Sequence, residues 1–209
     1  MKDYPLKDKF DSILDAAQKR FGHYGLSKTT MQEIADDIGL SKASLYYYFK
    51  DKESIFKAVA EKEQLYFETE MQKLMNDSVK AELMLTGYVE LRLDLLKKLM
   101  TLGKFSYGSF IEVKPILHAC FKGFKKKEIE FIAEIIKTGI DRKEFSLENI
   151  NSNAEFFVDA LRGLRQAAVL GFAGDEITLM TPREYMKLRQ QSKMFVDLFL
   201  KGISVVGKR

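Results

Sequence analysis

Apolar residues in the first part of the chain recur every three or four positions, the spacing that places them on one face of an α-helix. This pattern predicts a first helix from about Lys7 to Gly22, with an apolar face formed by Phe10, Ile13, Leu14, Ala17 and Phe21. Two shorter helices are predicted at about Met31 to Ile38 and Lys42 to Phe49, and Gly39 ends the first of them. The first fifty residues therefore predict three helices with a shared apolar core.

Residues that cap helices support these boundaries. Thr30 and Glu33 have the spacing of a capping box, in which the two side chains satisfy free backbone amides at the start of a helix. Ser41 is expected to cap the third helix. Asp51 is expected to cap a fourth, longer helix that begins at Lys52 and extends into the seventies.

The middle of the chain shows the same helical spacing. Residues 81–102 have apolar positions on two sides, and a helix of that kind packs between neighbours. We therefore expect this helix at the centre of a larger domain. Further helices are predicted at about 106–120 and 124–140.

The carboxy-terminal part contains two more capping patterns. Residues 141–152 are predicted to form a connecting loop, because Ser152 and Glu155 have the spacing of a capping box that opens a helix of about twenty residues. The run Thr181–Glu184 combines an N-cap threonine, a proline in the first turn and a glutamate at the third position. It predicts a last helix that extends to about Lys201.

These patterns predict an all-α fold of about nine helices. The sequence has only three prolines, and no stretch bounded by turn residues alternates apolar and polar positions as a strand does. Because the first three helices share one apolar core, we expect a separate amino-terminal domain over residues 1–51. A larger helical domain is expected over residues 52–209.

Composition argues against several classes of protein. No stretch contains the roughly 18 uncharged apolar residues that a membrane span requires, and the charged amino terminus lacks the apolar segment of a signal peptide. A single cysteine, Cys120, fits a reducing cytoplasm. With two histidines, one cysteine and no glycine-rich phosphate loop, the chain offers no catalytic or metal-binding set. We therefore expect neither an enzyme nor a bound cofactor or metal.

Residues 31–50 fit a helix-turn-helix motif, whose second helix enters the major groove of DNA. Ala35 is small where the two helices cross, and Gly39 supplies the backbone angle that the turn needs. The three residues Tyr46–Tyr48 span about 200° around their helix, so at least one of them must be exposed. Residues 1–64 contain eleven Lys and Arg against eleven Asp and Glu, so a DNA surface there depends on where single cations lie.

A longer pattern around this motif resembles the amino-terminal domain of the TetR family of bacterial transcription regulators. It covers about residues 9–60 and consists of Ile13, Ala17, Phe21, Gly25, Thr29, Thr30, Ile34, Ala35, Gly39, Ser41, Leu45, Tyr46, Phe49, Lys52, Glu53 and Phe56. The family often has glycine at the position of Ala43 and histidine at that of Tyr48. Both departures are mild, because alanine permits a close approach to DNA and tyrosine can donate to a phosphate.

The resemblance implies which residues contact double-stranded operator DNA. Thr29 or Thr30 would bind a phosphate at the start of the second helix, and Lys52 would bind one at the start of the fourth. The candidates between them are Ser41, Lys42, Ala43, Ser44, Tyr46, Tyr47 and Tyr48, of which Ala43 could touch a thymine methyl group. We expect repression as the outcome of binding, and the sequence leaves activation open.

The resemblance also implies a homodimer formed by the last two long helices of each subunit. Small residues recur in the first of these helices mostly every three or four positions, which allows close helix packing. The candidate interface consists of Ala160, Gly163, Ala167, Gly171, Phe195, Leu198 and Phe199. The alternative is that these faces pack only within one subunit. A protein that recognises DNA through the major groove usually needs two half-sites, which favours the dimer.

The family places a small-molecule site inside the larger domain, around its central helix. The candidates are Met84, Tyr88, Phe105, Tyr107, Phe110, His118, Phe121 and Phe157, and their side chains indicate an apolar or amphipathic effector. His118 has only Cys120 nearby, so a buried structural histidine is a better interpretation than a metal ligand. A larger domain that docks a protein partner and senses no small molecule is an open alternative.

Overall fold

The computed structural model describes residues 4–76, 78–101, 115–116, 118–119, 122–170 and 181–205. Its named helices are α1 (Tyr4–Tyr24), α2 (Met31–Asp37), α3 (Lys42–Tyr48), α4 (Lys52–Leu74), α5 (Ala81–Thr101), α6 (Phe124–Asp141), α7 (Ile150–Leu170) and α8 (Pro182–Ile203). Within these residues the only β-pairing is an isolated bridge between Phe145 and Ser204. The predicted all-α class is confirmed, and most of the helix predicted at 106–120 lies outside the described residues.

The capping residues hold the helix ends as their spacing predicts. The Thr30 hydroxyl accepts a hydrogen bond from the Glu33 amide at 3.3 Å, and the Glu33 carboxylate accepts one from the Thr30 amide at 2.8 Å. Ser41 Oγ accepts from the amide at the third position of α3 at 3.1 Å, and Asp51 Oδ1 does the same for α4 at 2.7 Å. A second complete capping box at Thr181 opens α8. These four predicted helix starts are confirmed.

The start of α7 differs from the prediction. The helix begins at Ile150, so Ser152 lies inside its first turn and does not cap it. Asn149 adopts a left-handed backbone with φ of 55°, a conformation that asparagine tolerates better than most residues, and this ends the loop early. The Asn149 carbonyl then accepts from the Asn153 amide at 3.1 Å. The capping box predicted at Ser152 and Glu155 is therefore wrong.

The described residues divide into two compact units. The first contains α1, α2, α3 and residues 52–66 of α4, together with residues 97–101 and the described residues between 115 and 119. Its core is formed by apolar side chains from all four helices, including Ile13, Phe21, Ile34, Leu45, Phe49, Ile55 and Phe56. The Phe21 and Phe56 rings meet edge to face with centroids 5.5 Å apart. Burial of these large side chains gives the three short amino-terminal elements a common support.

The second unit contains residues 67–96, 122–170 and 181–205. Helix α7 packs against both α6 and α8. The buried core includes Phe67, Met84, Leu85, Tyr88, Phe131, Ile132, Ile135, Ile136 and Phe157. Gly139 is required here, because any side chain at that position would collide with the Phe145 ring. Helix α4 contributes residues to both units, and the domain boundary at residue 51 stays a prediction.

Among the described residues, no helix is both long and apolar enough to span a lipid bilayer.

Candidate nucleic-acid interface

Helices α2 and α3 are joined by a tight turn that sets the angle between them. Gly39 occupies the turn with φ of 65°, a left-handed conformation that glycine adopts without strain. The Leu40 amide donates to the Ala35 carbonyl at 2.9 Å and closes the turn. Ala35 and Leu45 are fully buried, so α3 is held against α2 by packing as well as by the backbone. This is the arrangement of a helix-turn-helix motif.

The outer face of α3 presents large side chains to solvent. Tyr47 is 82% exposed and Tyr46 is 47% exposed, while Leu45 on the inner face is buried. Lys42 and Ala43 are also exposed. Tyr48 is half-buried, packs against the core of the unit, and meets the Tyr47 ring edge to face. The prediction that the three tyrosines cannot all face inward is confirmed, and two of them form an exposed surface with Lys42.

The hydroxyl groups at the start of α3 are close to one another. The Ser41 and Ser44 Oγ atoms lie 2.8 Å apart, and Ser41 also caps the helix. Ser41 is exposed and Ser44 is half-buried. Thr30, at the start of α2, is exposed as well. These side chains therefore stand beside backbone amides at the amino-terminal ends of two helices.

Thr29 lies in a different environment from its neighbour. Its side chain is 1% exposed, and its hydroxyl donates to the Gly25 carbonyl at 2.8 Å. This bond joins Thr29 to the loop that follows α1, where Gly25 has φ of 82°. Thr29 is therefore a structural residue in this chain, and of the two threonines only Thr30 is placed to bind a phosphate.

Lys52 is the most connected of the predicted DNA-binding residues. Its ammonium group donates to the backbone carbonyls of Leu26, Ser27 and Thr29 at 2.8, 3.0 and 3.3 Å. An ammonium group has three donors, and all three are used here. Lys52 thus joins the start of α4 to the segment that precedes α2. This geometry makes it a positioning residue and argues against a direct phosphate contact.

Arg20 is a second positioning residue, which the sequence analysis missed. Its guanidinium group donates two hydrogen bonds to the Asp37 carboxylate at 2.6 and 2.7 Å, and it lies 3.2 Å from Glu33. The hydrogen bond from Arg20 is the main reason that the pKa of Asp37 is lowered. Through Glu33 and Asp37, Arg20 connects both ends of α2 to α1. Sequence spacing alone does not reveal it, because Arg20 and Asp37 are 17 residues apart.

Comparison with known proteins identifies the family. The family model described as "Bacterial regulatory proteins, tetR family" matches residues 13–59. A crystal structure of a transcriptional regulator from Cytophaga hutchinsonii is 44% identical in sequence, with a TM-score of 0.83. The match covers 94% of this chain and 99% of that one. The chain belongs to the TetR family of bacterial transcriptional regulators. As a member of this family it is a regulator of transcription and not an enzyme.

Other TetR-family relatives are similar over shorter stretches or in fold alone. The transcriptional repressor Rv1474c of Mycobacterium tuberculosis is 38% identical over 48 residues, which cover 23% of this chain. The match spans about a quarter (26%) of that relative's length. SmeT, the repressor of a Stenotrophomonas maltophilia multidrug efflux pump, shares the fold with a TM-score of 0.66 at 17% identity. That match covers 95% of this chain and 91% of SmeT, which has also been solved as a complex with triclosan.

Replacing Lys52 with alanine is expected to lower the free energy of unfolding of this TetR-family protein by about 1–2 kcal/mol. The substitution leaves three carbonyls without their charged donor, and solvent compensates for part of that loss because Lys52 is only half-buried. Lys50→Ala is the matched control, since Lys50 is 84% exposed and lies 3.9 Å from the Asp51 carboxylate, too far for a hydrogen bond. It should cost less than about 0.5 kcal/mol. Equal urea midpoints for the two variants would contradict the positioning role.

The candidate effector residues fall into three groups. Met84, Tyr88 and Phe157 are completely or almost completely buried in the second unit. Their rings and those of their neighbours are close: the Tyr88 centroid lies 6.2 Å from those of Phe67 and Phe131 and 6.4 Å from that of Phe157. His118 is exposed and belongs to the first unit, so its interpretation as a buried histidine is wrong. Phe105, Tyr107, Phe110 and Phe121 lie outside the described residues.

The candidate dimer residues lie on the outer faces of α7 and α8. Gly163 and Ala167 are exposed and Ala160 is half-buried, and they occupy one side of α7 together with Phe156, which is 59% exposed. On α8, Leu198 is 61% exposed. Phe195 and Phe199 also pack against Phe157 within the subunit, at centroid distances of 5.4 and 4.9 Å. Gly171 lies outside the described residues. Both helices therefore present apolar surface at the predicted interface.

Proposed function

We propose that this TetR-family regulator binds a pseudo-palindromic operator as a homodimer and represses transcription until a small-molecule effector releases it. The principal support is the outer face of α3, where Tyr46, Tyr47 and Lys42 are exposed on a helix whose inner face is locked into the core. A tyrosine ring that is 82% exposed gains nothing from the core. It is well suited to contact a sugar-phosphate backbone or a base edge.

The positions of these groups suggest how α3 meets the major groove. Ala43 has a small, exposed side chain beside Lys42, so it permits a close approach to the bases. Thr30 is exposed at the start of α2, where its hydroxyl donates to the Glu33 carboxylate at 2.8 Å, and a phosphate would take the place of that carboxylate as acceptor. Arg20 and Lys52 would hold α2 in the orientation that this contact needs. The exposure of Thr30, Lys42, Tyr46 and Tyr47 is thus compatible with the DNA contacts that the family resemblance implies for them.

Two glycines support the homodimer. An added Cβ atom at Gly163 or at Gly202 would meet no heavy atom within 4 Å in the part of the chain that the structure describes. Packing within the subunit therefore does not require a small residue at either position. Close approach of a second copy of the helix pair does supply a reason, and it would also cover the exposed side chains of Phe156 and Leu198.

The effector is supported by the aromatic core of the second unit and by the fold shared with SmeT. Tyr88, Phe157 and Met84 lie together there, on α5 and α7. SmeT binds triclosan in its solved complex, and we propose that this chain also binds a small molecule in its larger domain. The ligand would have to bind the DNA-free state more tightly than the DNA-bound state, since only such a difference shifts the equilibrium.

Selection of bound sequences from random double-stranded DNA would supply an operator, and variants of α3 then test the interface. Replacing Lys42 or Tyr46 with alanine is expected to weaken operator binding by about 1–3 kcal/mol each. The Lys42 variant should also reduce the dependence of affinity on salt, because a phosphate contact displaces counterions. Fluorescence anisotropy at fixed salt measures both effects.

Lys126→Ala is the control, because this lysine is 82% exposed on α6 and its ammonium group lies 3.7 Å from Glu130, too far for a hydrogen bond. It should bind the selected operator as the unaltered protein does. Unchanged affinity in both α3 variants would show that another surface binds the DNA. Selection of a single half-site, without a second inverted copy, would contradict the dimer.

A further inference from the structure

A group of charged side chains lies against the aromatic core of the second unit. Glu128 on α6 is completely buried, and one of its carboxylate oxygens accepts a hydrogen bond from the Tyr88 hydroxyl at 2.7 Å. Arg92, one turn after Tyr88 on α5, donates to the same carboxylate and to the Tyr88 hydroxyl. Arg162 on α7 approaches the other carboxylate oxygen at 3.5 Å. A single carboxylate therefore faces two guanidinium groups.

Arg165 adds a third cation to this group. Its pKa is lowered to about 10, first by desolvation and then by the positive charges of Arg92 and Arg162. Arg165 lies one turn after Arg162 on α7, and it is still charged at neutral pH. Among the described residues it forms no hydrogen bond or ion pair. The cluster of Arg92, Glu128, Arg162 and Arg165 holds three positive charges and one negative charge.

Among the described residues, two carboxylates on the same helices have other partners. Glu90 on α5 is paired with Arg189 at 2.9 Å, and Asp159 on α7 is paired with Lys125 at 2.8 Å. Tyr88 stays neutral, because burial raises the pKa of its hydroxyl. Uncompensated positive charge beside a core is costly, and a bound anion would offset that cost.

Arg165 is the exposed member of this cluster. At about 100° per residue, Arg165 lies roughly 40° from Leu161 and 20° from Val158, and both of these side chains are buried. It is roughly 140–160° away from the small residues Ala160 and Gly163 of the proposed dimer face. The Arg165 side chain is nevertheless exposed. It therefore lies toward the inward side of α7 and is still reached by solvent.

We infer that Arg162 and Arg165, beside the Arg92–Glu128 pair and the aromatic residues around Tyr88, bind the anionic head group of an amphipathic effector. This inference rests on the proposed effector-sensing function and assigns a chemical class to the ligand. Guanidinium groups are good donors to carboxylate and phosphate oxygens, and two of them lie one turn apart on α7. The rings of Phe67, Phe131 and Phe157 around Tyr88 favour an apolar remainder.

Calorimetric titration of the full chain with four ten-carbon probes tests the inference: decanoate, decyl phosphate, decanol and decyltrimethylammonium, each below its micellar concentration. Decanoate or decyl phosphate is expected to bind at least tenfold more tightly than decanol, and the ammonium compound should bind most weakly. Arg165→Gln and Arg162→Gln should each reduce binding of the anionic probe at least tenfold, with little change for decanol. Arg183→Gln removes the same charge from an exposed position on α8 and should change neither.

Three outcomes would overturn the inference. They are equal affinities for the anionic probes and decanol, undiminished anion binding in both arginine variants, and an absence of binding by all four probes. A separate titration of the protein with the selected operator, in the absence of any probe, distinguishes these outcomes from a failure of the proposed DNA binding. The unaltered protein and Arg165→Gln should bind the operator equally well there. Loss of the operator complex in both would contradict DNA recognition, whereas a normal complex that the anionic probes do not affect contradicts only the head-group assignment.

Discussion

Replacing Ala167 with arginine is expected to separate the proposed homodimer into monomers and to abolish tight operator binding. Ala167 is exposed on the same side of α7 as Gly163. In a closely packed helix pair its replacement would bury a large charged group without a partner, at a cost of about 3 kcal/mol or more. That cost raises the dissociation constant of the dimer more than a hundredfold, since each 1.4 kcal/mol is about a factor of ten. Operator affinity falls as well, because a monomer can bind only one half-site.

Sedimentation velocity at micromolar concentration measures the assembly, and anisotropy with the selected operator measures the consequence. Gln166→Arg is the matched control, because Gln166 is also exposed but lies about 100° around α7 from Ala167. The control should stay dimeric and bind DNA normally. A dimer that persists in Ala167→Arg would place the interface on another face of the protein.

Of the substitutions proposed for this protein, Glu128→Ala is expected to lower the free energy of unfolding most. Glu128→Ala leaves Arg92, whose side chain is 11% exposed, without its buried counterion, and it also removes the acceptor of the Tyr88 hydroxyl. Breaking a buried ion pair from one side costs about 3–5 kcal/mol. Urea unfolding followed by circular dichroism should therefore show a much lower midpoint.

Two further variants make this result specific. Glu130→Ala alters the same helix at a residue that is 63% exposed and pairs only weakly with Lys126, so it should cost less than about 1 kcal/mol. The double variant Glu128→Leu with Arg92→Met removes both charges together and should recover most of the lost stability, because well-packed apolar residues can replace a buried ion pair. A double variant as unstable as Glu128→Ala would mean that the charge on Arg92 is not the cause.

The sequence predicted the local features of the DNA-binding unit well. Thr30, Ser41 and Asp51 cap their helices through bonds that reach only three residues along the chain, so spacing alone is enough to find them. The turn at Gly39 depends on one residue that tolerates a left-handed backbone. The capping box predicted at Ser152 was wrong because the left-handed backbone of Asn149 ends the loop earlier, and the helix begins at Ile150.

For Thr29 and Lys52, the family pattern did not predict the role that the structure gives them. Both match the family pattern, and from the sequence alone both were candidates for phosphate contacts. The fold places the Thr29 hydroxyl on the Gly25 carbonyl, and it places the Lys52 ammonium group on three carbonyls that are 23–26 residues away. A family pattern records which residue types occur, but whether a side chain faces the ligand or supports the backbone depends on the packing around it.

The sequence by itself therefore determined the all-α class, four of the capped helix starts, the helix-turn-helix and the family, because each depends on periodicity or on contacts between near neighbours in the chain. Only the tertiary structure decided which polar residues meet inside the second unit. Glu128 is 36 residues from Arg92 and 34 from Arg162, and it faces them because α5, α6 and α7 pack together. The aromatic and methionine content of this domain indicated an apolar or amphipathic effector. The packed helices place an excess of arginine beside those aromatic residues, and charges brought together from three helices cannot be seen along the sequence.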